Sequence, residues 1–314
     1  MGRSFGAAIV FFSAAAIVAA ALTAASAATD AACKQEYAAK HAAGLRKADY
    51  VKACLARRKI AADPEPTGPG GEADTDLAKK TENPIADLIS VPFNNYSTFN
   101  YGGRGTLDLL EIQPVIPIHL TPDWNVITRT VVPVVWTPDL SPLPSAPAGV
   151  APTDFSAFLT PKNETDGWLC GVGPIVQIPT ITSVDLGSNL WGGGPTAVVV
   201  HTGDKIVAGA LANAVWSFGG TKGPGGDSYN TSLFEPFFNY NFGHGWYVYS
   251  DPNIVADWQA KGPKWTVPVG GGAGRIIRLG GKLPIKLSAG LFYNVVQPVN
   301  GGRWVLNTDL TLIF

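Results

Sequence analysis

From residue 83 to the C-terminus, the chain repeats one pattern, a short run with apolar residues at every second position followed by turn-forming residues. A period of two is typical of a β-strand with two different faces. About twelve such runs can be recognised, and they span residues 88–101, 105–120, 124–138, 154–161, 167–179, 194–202, 205–219, 229–242, 245–257, 264–279, 285–297 and 302–314. The sequence therefore predicts an all-β domain over residues 83–314.

The last run shows the alternation most clearly. Trp304, Leu310 and Phe314 share one face, whereas Asn307 and Asp309 share the other. An apolar outer face, a polar inner face and an aromatic final residue resemble the closing strand of a bacterial outer-membrane β-barrel. That resemblance implies that Phe314 is an assembly signal and that the strand binds the barrel-assembly machinery.

The connections between the runs alternate in length. Tight turns lie at 121–123, 163–166, 203–204, 243–245 and 280–284, and the intervening connections, at 140–153, 181–193, 221–228, 259–263 and 298–301, are generally longer, apart from a short first member at 102–104. Short turns at one rim and long loops at the other are typical of outer-membrane barrels. The sequence therefore predicts a transmembrane antiparallel β-barrel of about 12 strands, with both ends of the domain on the short-turn, periplasmic side.

The composition agrees with a barrel in contact with lipid. Charged residues make up 15% of the 314 residues, compared with about a quarter in an average soluble protein. All nine tryptophans fall in residues 83–314, mostly near strand ends, where they predict aromatic belts at two membrane interfaces. The formal net charge of −1 argues against a nucleic-acid partner.

The prolines inside the predicted strands conflict with a regular barrel. Each removes a backbone donor from a wall that has no free edge, and they are Pro92, Pro114, Pro117, Pro133, Pro174, Pro236 and Pro268. They predict bulges, a distorted wall or a local error of register. Arg275 is a second conflict, because it falls on the face assigned to lipid.

The first 82 residues divide into three segments. Residues 1–27 have a basic start, an apolar run and an Ala-x-Ala site, which together predict a signal peptide; an uncleaved anchor is the alternative. Residues 28–60 are predicted to be a periplasmic helical segment that binds a periplasmic partner, and Cys33 and Cys54 within it can form a disulfide bond. The Pro/Gly-rich residues 61–82 are predicted to be a disordered linker.

Two resemblances to known families follow from short matches. Residues 83–93, 113–117, 123–130, 171–174, 191–197 and 209–218 resemble a bacterial outer-membrane family of phenol meta-degradation clusters, whose members are labelled "transporter" or mislabelled "neuromedin U". That resemblance implies a small barrel for uptake or permeability, and it brings no catalytic residues. The spacing of Cys33, Gly44, Tyr50 and Cys54 resembles the repeat of the PsiF family of exported proteins.

A polar inner face supplies the candidate site. The residues predicted to line a pore are Glu111, Gln113, Arg129, Glu235, Asn239, Lys286, Asn307 and Asp309. Glu111 and Arg129 lie on consecutive strands and are expected to pair across the lumen. The alternative is that these charges neutralise one another and close a narrow barrel.

No constellation for catalysis, metal binding or a cofactor stands out. The four histidines lack metal-ligand spacing, and there is no Gly-x-Ser-x-Gly motif. Ser250 with His201 remains an alternative, because some barrels carry lipid hydrolases. The glycines of 270–274 lack the Lys-Ser/Thr ending of a phosphate loop and predict strand curvature or space in the lumen.

The sequence thus predicts a non-enzymatic barrel in the outer membrane of a Gram-negative cell, in contact with outer-membrane lipid. Its predicted function is porin-like or weakly selective passage of small solutes, including aromatic or hydrophobic ones. A non-conducting structural or assembly barrel is the main alternative, and a secreted β-sandwich is a third.

Overall fold

The structure, a computed structural model, describes residues 69–103, 105–138, 148–220, 226–279 and 283–314. Within them lie one α-helix, α1 (Pro69–Thr81), and a 3-10 helix (Val184–Leu186). The strands are β1 (Ser90–Tyr101), β2 (Gly105–Ile112), β3 (Val115–His119), β4 (Trp124–Trp136), β5 (Ala148–Val150), β6 (Thr153–Pro161), β7 (Trp168–Ile178), β8 (Trp191–Thr202), β9 (Ile206–Gly219), β10 (Asn230–Gly243), β11 (Trp246–Ser250), β12 (Ile254–Asp257), β13 (Trp265–Leu279), β14 (Leu283–Val296) and β15 (Trp304–Ile313).

These strands form one closed antiparallel barrel. Each wall strand pairs with the next along the chain, and β15 pairs with β1 from Ile313 opposite Ser90 to Trp304 opposite Phe99. β2 with β3, β5 with β6, and β11 with β12 each share one wall position, so the wall has 12 strands. The predicted barrel is confirmed.

Three of the twelve wall strands are interrupted near a proline. β2 and β3 are separated at Pro114, β5 and β6 at Pro152, and β11 and β12 at Pro252. The predicted strand 154–161 is therefore too short, because its wall position begins at Ala148. Pro268 lies at a register shift between β13 and β14, as expected for a residue without a backbone donor.

The two rims differ as predicted. The tight connections after β3, β6, β8, β10 and β13 share one rim with the start of β1 and the end of β15, and we call this rim the turn end. The opposite rim, the loop end, carries the connections after β4, β7, β9, β12 and β14, together with the short connection after β1. In the turn after β10, Gly243, His244 and Gly245 all have positive φ, of 98°, 53° and 74°. Glycine adopts such angles without a steric penalty, so Gly243 and Gly245 allow the chain to reverse direction here.

The outer surface is an apolar band between two rings of tryptophan. All nine tryptophans lie at or close to strand ends, with side chains between 42% and 53% exposed. Trp124, Trp168 and Trp246 are at the turn end, and the other six are at the loop end. Arg275 lies on the outer face as predicted, with its guanidinium 5.0 Å from the centre of the Trp246 indole. Its charge is therefore near the turn end of the barrel, at the level of the tryptophans there, and contacts an aromatic face.

The chain enters the barrel before it becomes a strand. Within α1, Ala78 is fully buried and packs with Tyr247 and Ile276. Four residues beyond the helix, Ile85 is 1% exposed within a second cluster that includes Phe158. We call residues 77–89 the luminal strap.

The interpretation of residues 61–82 as a disordered linker is wrong for 69–81, which are helical. The helix is held by the barrel rather than by its own composition: Arg278 donates to Asp74 (Nε to Oδ1, 2.7 Å), and Lys286 donates to Glu82 (Nζ to Oε1, 3.0 Å). The amino-acid composition of the segment cannot predict ion pairs with residues so far along the chain.

Five of the predictions lie outside the described residues. They are the signal peptide 1–27, the helical segment 28–60, the Cys33–Cys54 disulfide, the PsiF-like repeat and residues 61–68 of the linker.

The inner face in the turn-end half is less polar than predicted. Nine buried apolar residues form one cluster around the strap, namely Ile85, Ile127, Phe158, Leu169, Val198, Val200, Val207, Leu211 and Phe237. Inner-wall residues that face the strap belong to a core rather than to a water-filled lumen. Strands that contribute to this core therefore show weak polar–apolar alternation.

The glycines of β13 provide space for aromatic side chains in the lumen. Gly272 and Gly274 face inward, where Tyr249 and Tyr247 pack against them, and both rings are buried. A Cβ at Gly272 would lie 2.6 Å from the Tyr249 ring and would also collide with the carbonyl oxygen of Ala289. Space in the lumen, and not a phosphate loop, accounts for this glycine run.

No helix in the described part of the chain has both the length and the apolar character needed to cross a bilayer.

Replacement of Gly272 by alanine should impair barrel folding, because the added methyl group collides with the backbone of β14 and with Tyr249. The measurement is the heat-modifiable gel mobility of the refolded protein. Gly219→Ala is the matched control, since nothing lies within 4 Å of the position that its methyl group would occupy. Equal folded fractions for the two variants would contradict the packing role assigned to Gly272.

Candidate functional site: the barrel lumen

A luminal cavity of about 430 Å³ lies in the loop-end half of the barrel, and we call it the upper cavity. Its apolar lining includes Leu109, Phe158 and Ile175. Its charged lining consists of four acids and one base, and these are Glu111, Asp154, Glu235, Asp251 and Arg129. Neutral polar side chains such as Asn213, Thr231 and Asn294 also line it, so the cavity can accept a small molecule with an apolar body and a few polar groups.

Arg129 is the centre of the polar network in this cavity. Its Nη2 and Nε donate to Oε1 of Gln113 at 2.7 and 3.2 Å, and its Nη1 lies 3.8 Å from Oε2 of Glu235. Gln113 in turn donates from Nε2 to Oε2 of Glu111 at 2.6 Å. The expected direct pair of Glu111 and Arg129 is therefore replaced by a chain through Gln113, which follows Glu111 by two residues and so faces the same side of the wall.

Lys286 is the centre of a second network, at the luminal strap. Its Nζ lies 3.0 Å from Glu82 and 3.6 Å from Asp309, and these three side chains are 14%, 9% and 5% exposed. Thr311 donates from Oγ1 to Asp309 at 3.0 Å. A buried cation between two buried carboxylates links the strap to β14 and β15.

Two further cavities lie next to the strap. The first, which we call the middle cavity, has a volume of about 120 Å³ and is lined by Glu82, Tyr247, Lys286 and Asp309 among others. The second, which we call the turn-end cavity, has a volume of about 530 Å³, lies toward the turn end and is lined by residues of α1, the strap and the turns. The middle cavity shares Arg129 and Glu235 with the upper cavity, and it shares Lys80 and Asn83 with the turn-end cavity.

Seven of the eight residues predicted to line a pore border the upper or the middle cavity, namely Glu111, Gln113, Arg129, Glu235, Lys286, Asn307 and Asp309. Asn239 is 1% exposed and borders none of the three cavities. Whether these residues line a conducting path stays a prediction. Phe314 is exposed, and its amide donates to the carbonyl oxygen of Ile89 at 3.0 Å. Its role as an assembly signal stays a prediction.

Four charged or polar members of the lumen are not apparent from the sequence. Glu82 falls in the predicted linker, and Asp154, Asp251 and Asn253 lie at or near strand interruptions, where alternation is hard to follow. An inward Lys286 is a signal that a carboxylate partner is needed, but the sequence does not say which one. Among the described residues, no group of three His, Cys, Asp or Glu side chains is arranged to hold a metal ion.

The comparisons with known proteins bear on the fold. No protein-family model matches the sequence, and no curated protein sequence matches it. The structure is similar to the COG4313 outer membrane channel from Pseudomonas putida F1, with a TM-score of 0.53 and 16% identity, over 73% of this chain and 97% of that chain.

Two weaker similarities accompany it. They are to the NanC porin, with a TM-score of 0.45 and 9% identity over 72% of this chain and 98% of that chain, and to the outer membrane phospholipase of Salmonella typhi, with a TM-score of 0.41 and 11% identity over 78% of this chain and 98% of that chain. Both TM-scores are below 0.5. The class that the fold defines is thus the closed 12-strand antiparallel barrel.

Replacement of Lys286 by methionine should lower the free energy of unfolding by about 3 kcal/mol, because Glu82 and Asp309 would remain buried without their cation. The measurement is urea-induced unfolding of the protein in detergent micelles. Lys79→Met is the matched control: its ion pair with Asp76 is within α1, and Asp76 is 62% exposed, so that pair contributes little. Equal unfolding midpoints for both variants would exclude a stabilising role of the buried cluster.

Proposed function

We propose that the protein is an outer-membrane channel through which small solutes, including aromatic or hydrophobic ones, pass. The observation that carries this proposal is the upper cavity of about 430 Å³ inside a closed barrel. Its lining combines apolar side chains with charged and neutral polar ones such as Asn213 and Asn294, which suits solutes that have an apolar body and a few polar groups. The similar fold of a named channel is consistent with this proposal, but at 16% identity it speaks only for the fold.

The location in the outer membrane belongs to the same proposal. An exposed apolar band between two tryptophan rings fits a bilayer with an interface on each side. The turn end is then periplasmic, because short turns lie on that side in outer-membrane barrels. Outer-membrane lipid and the barrel-assembly machinery are the partners that this location implies.

The path through the lumen is narrow at the strap. The three cavities follow one another from the loop end to the turn end, and adjacent cavities share lining residues. The middle cavity, of about 120 Å³, is the smallest. A solute that enters from the loop end therefore meets the Lys286 cluster before it reaches the turn end.

We also propose that the protein is not an enzyme. Ser250 donates to the carbonyl oxygen of Gly270 at 2.8 Å, and the His201 ring lies 4.8 Å from the ring of Trp168. Each side chain of the suggested Ser/His pair thus has a different neighbour. Phospholipid hydrolysis by the purified protein, abolished by Ser250→Ala, would overturn this part of the proposal.

A non-conducting structural barrel is the second candidate. The observation that favours it is the apolar packing of the strap around Ile85, which occupies part of the turn-end half of the lumen. Conductance of the purified barrel in planar lipid bilayers decides between the two. Discrete conductance steps would support a channel, and their absence at protein amounts that give inserted barrels would favour a structural role.

Neutralising variants of the upper cavity should change ion selectivity in opposite directions. With four acids and one base in the lining, the cavity should favour cations. Arg129→Gln should shift the reversal potential in a salt gradient further toward cations, and Glu111→Gln should shift it toward anions.

Asp123→Asn is the control for this measurement, because Asp123 is exposed in a turn and borders none of the three cavities. If Arg129→Gln and Glu111→Gln leave the reversal potential as unchanged as Asp123→Asn does, then these residues do not line the conducting path.

A further inference from the structure

The upper and the middle cavity meet at four side chains. Arg129, Glu235, Asp251 and Asn307 border both cavities. They come from four places in the wall, namely β4, β10, the segment between β11 and β12, and β15. A solute that moves from one cavity to the other therefore passes these side chains, and we call this place the junction.

Two of the four junction side chains already have partners within the chain. Nη1 of Arg129 lies 3.8 Å from Oε2 of Glu235, and its Nη2 and Nε donate to Gln113. The positive charge of Arg129 is thus compensated by Glu235, and most of its donors are used. It does not compensate a second carboxylate at the junction.

The other two, Asp251 and Asn307, have polar groups without a partner in the described part of the chain. Oδ1 of Asp251 is enclosed and accepts no hydrogen bond from a described residue. Asn307 is 5% exposed, and its side-chain amide makes no hydrogen bond with another described residue. Because buried polar groups in native proteins nearly always have a partner, the junction presents a carboxylate and an amide that are ready to bind a polar group.

The charges around the junction favour a cation. The linings of the two cavities contain six carboxylates and three bases, and these are Glu82, Glu111, Asp154, Glu235, Asp251 and Asp309 with Lys80, Arg129 and Lys286. Lys286 pairs with Glu82 and Asp309, and Lys80 is exposed. No described base lies within 4 Å of Asp251. A buried carboxylate is stable in its ionised form only with a positive partner, so a positively charged group of a ligand is attracted here.

The hydrogen-bonding capacity of the junction fits an ammonium group. An ionised carboxylate accepts hydrogen bonds and donates none, and the side-chain oxygen of an asparagine accepts as well. An ammonium group has a positive charge, several donors and no acceptor, so it can satisfy Asp251 and Asn307 together. A carboxylate or a phosphate would be repelled by Asp251. Tyr96 and Phe292, which line the upper cavity, add aromatic rings of the kind that attract cations.

From this arrangement we propose that the junction binds the ammonium group of a small amphipathic amine, with Asp251 and Asn307 accepting its hydrogen bonds. The apolar body of the amine lies in the upper cavity of about 430 Å³, beside Leu109 and Ile175, because the middle cavity of about 120 Å³ is much smaller. This inference rests on the proposed function and specifies its substrate class.

The test compares three probes that share a phenyl ring and differ in charge. They are 2-phenylethylammonium, 2-phenylethanol and 3-phenylpropanoate, titrated calorimetrically at pH 7 into the purified full-length barrel in nonionic detergent, with the heat of titration into micelles alone subtracted. The ammonium compound should bind about tenfold more tightly than the alcohol, since hydrogen bonds to charged groups are stronger than neutral ones, and the carboxylate should bind more weakly than either. Equal affinities for the ammonium compound and the alcohol would overturn the proposal.

Ammonium chloride distinguishes an organic amine from an inorganic cation. The inorganic ion has the same donors and charge but no apolar body, so it should bind much more weakly than 2-phenylethylammonium. If both bind equally tightly, the junction does not recognise an amphipathic molecule, and the proposal fails.

Two isosteric variants locate the site within the lumen. Asp251→Asn should weaken binding of 2-phenylethylammonium about tenfold and change that of 2-phenylethanol by less than about twofold. Asp154→Asn is the matched comparison, because it removes the same charge from the upper cavity at a carboxylate that already accepts from Nε2 of Gln177 at 2.9 Å. Equal losses in the two variants would show attraction by the cavity as a whole and would overturn the site at Asp251. If Asp251→Asn does not fold, as judged by gel mobility, the comparison of the probes on the unmodified barrel decides.

Conductance of the same barrels in planar bilayers separates this inference from the proposed function. Conductance together with equal affinities for the ammonium compound and the alcohol would leave a channel and overturn the amine site. Preferential binding of the ammonium compound, lost in Asp251→Asn, would support the amine site even in a barrel that does not conduct, and the proposed channel would then be the part that fails.

Discussion

Closure of the backbone ladder is the constraint on which the rest of the structure depends. A strand with a free edge would expose unpaired N–H and C=O groups, and pairing of β15 with β1 removes both edges. Once the sheet is closed, alternating side chains have only two environments, the outer surface and the lumen. The apolar band, the tryptophan rings and the inward charges are all consequences of that division. A chain able to bond every wall position in this way can place its apolar side chains in contact with lipid.

Closure also creates an interior that must be filled or hydrated. In the turn-end half it is partly filled by the luminal strap, whose Ile85 packs in a cluster of inner-wall residues beside a cavity of about 530 Å³. The strap carries Glu82 into this interior, where Lys286 and Asp309 form a charged group with it. In the loop-end half the interior stays open as the upper cavity, and its polar network is organised by Arg129. The two halves of one lumen thus have different chemistry, because only the turn-end half contains a packed apolar cluster around the strap.

The departures from regular pairing are informative because a closed wall tolerates so few. The interruptions at Pro114 and Pro152 are bridged by backbone hydrogen bonds, so the wall remains bonded there. At Pro252 the strand keeps its register with both neighbours, and Pro236 and Pro268 stand opposite the same segment. In the sequence all strand prolines look alike, whereas the structure separates those that the ladder absorbs from those that meet at one place. Only the register across three strands distinguishes the two kinds.

Local pattern alone determined the strands, their approximate limits, the two rims and the positions of the tryptophans, because a period of two and the chemistry of turns act between residues near in sequence. It also placed Glu111, Arg129 and Lys286 on the inner face. The tertiary structure decided what these residues contact: Arg129 reaches Glu111 through Gln113, and Lys286 pairs with a residue from the predicted linker. It also decided that residues 69–81 are helical, since Asp74 of this helix pairs with Arg278 from a strand far along the chain. Contacts across a lumen depend on closure and register, which no local pattern encodes.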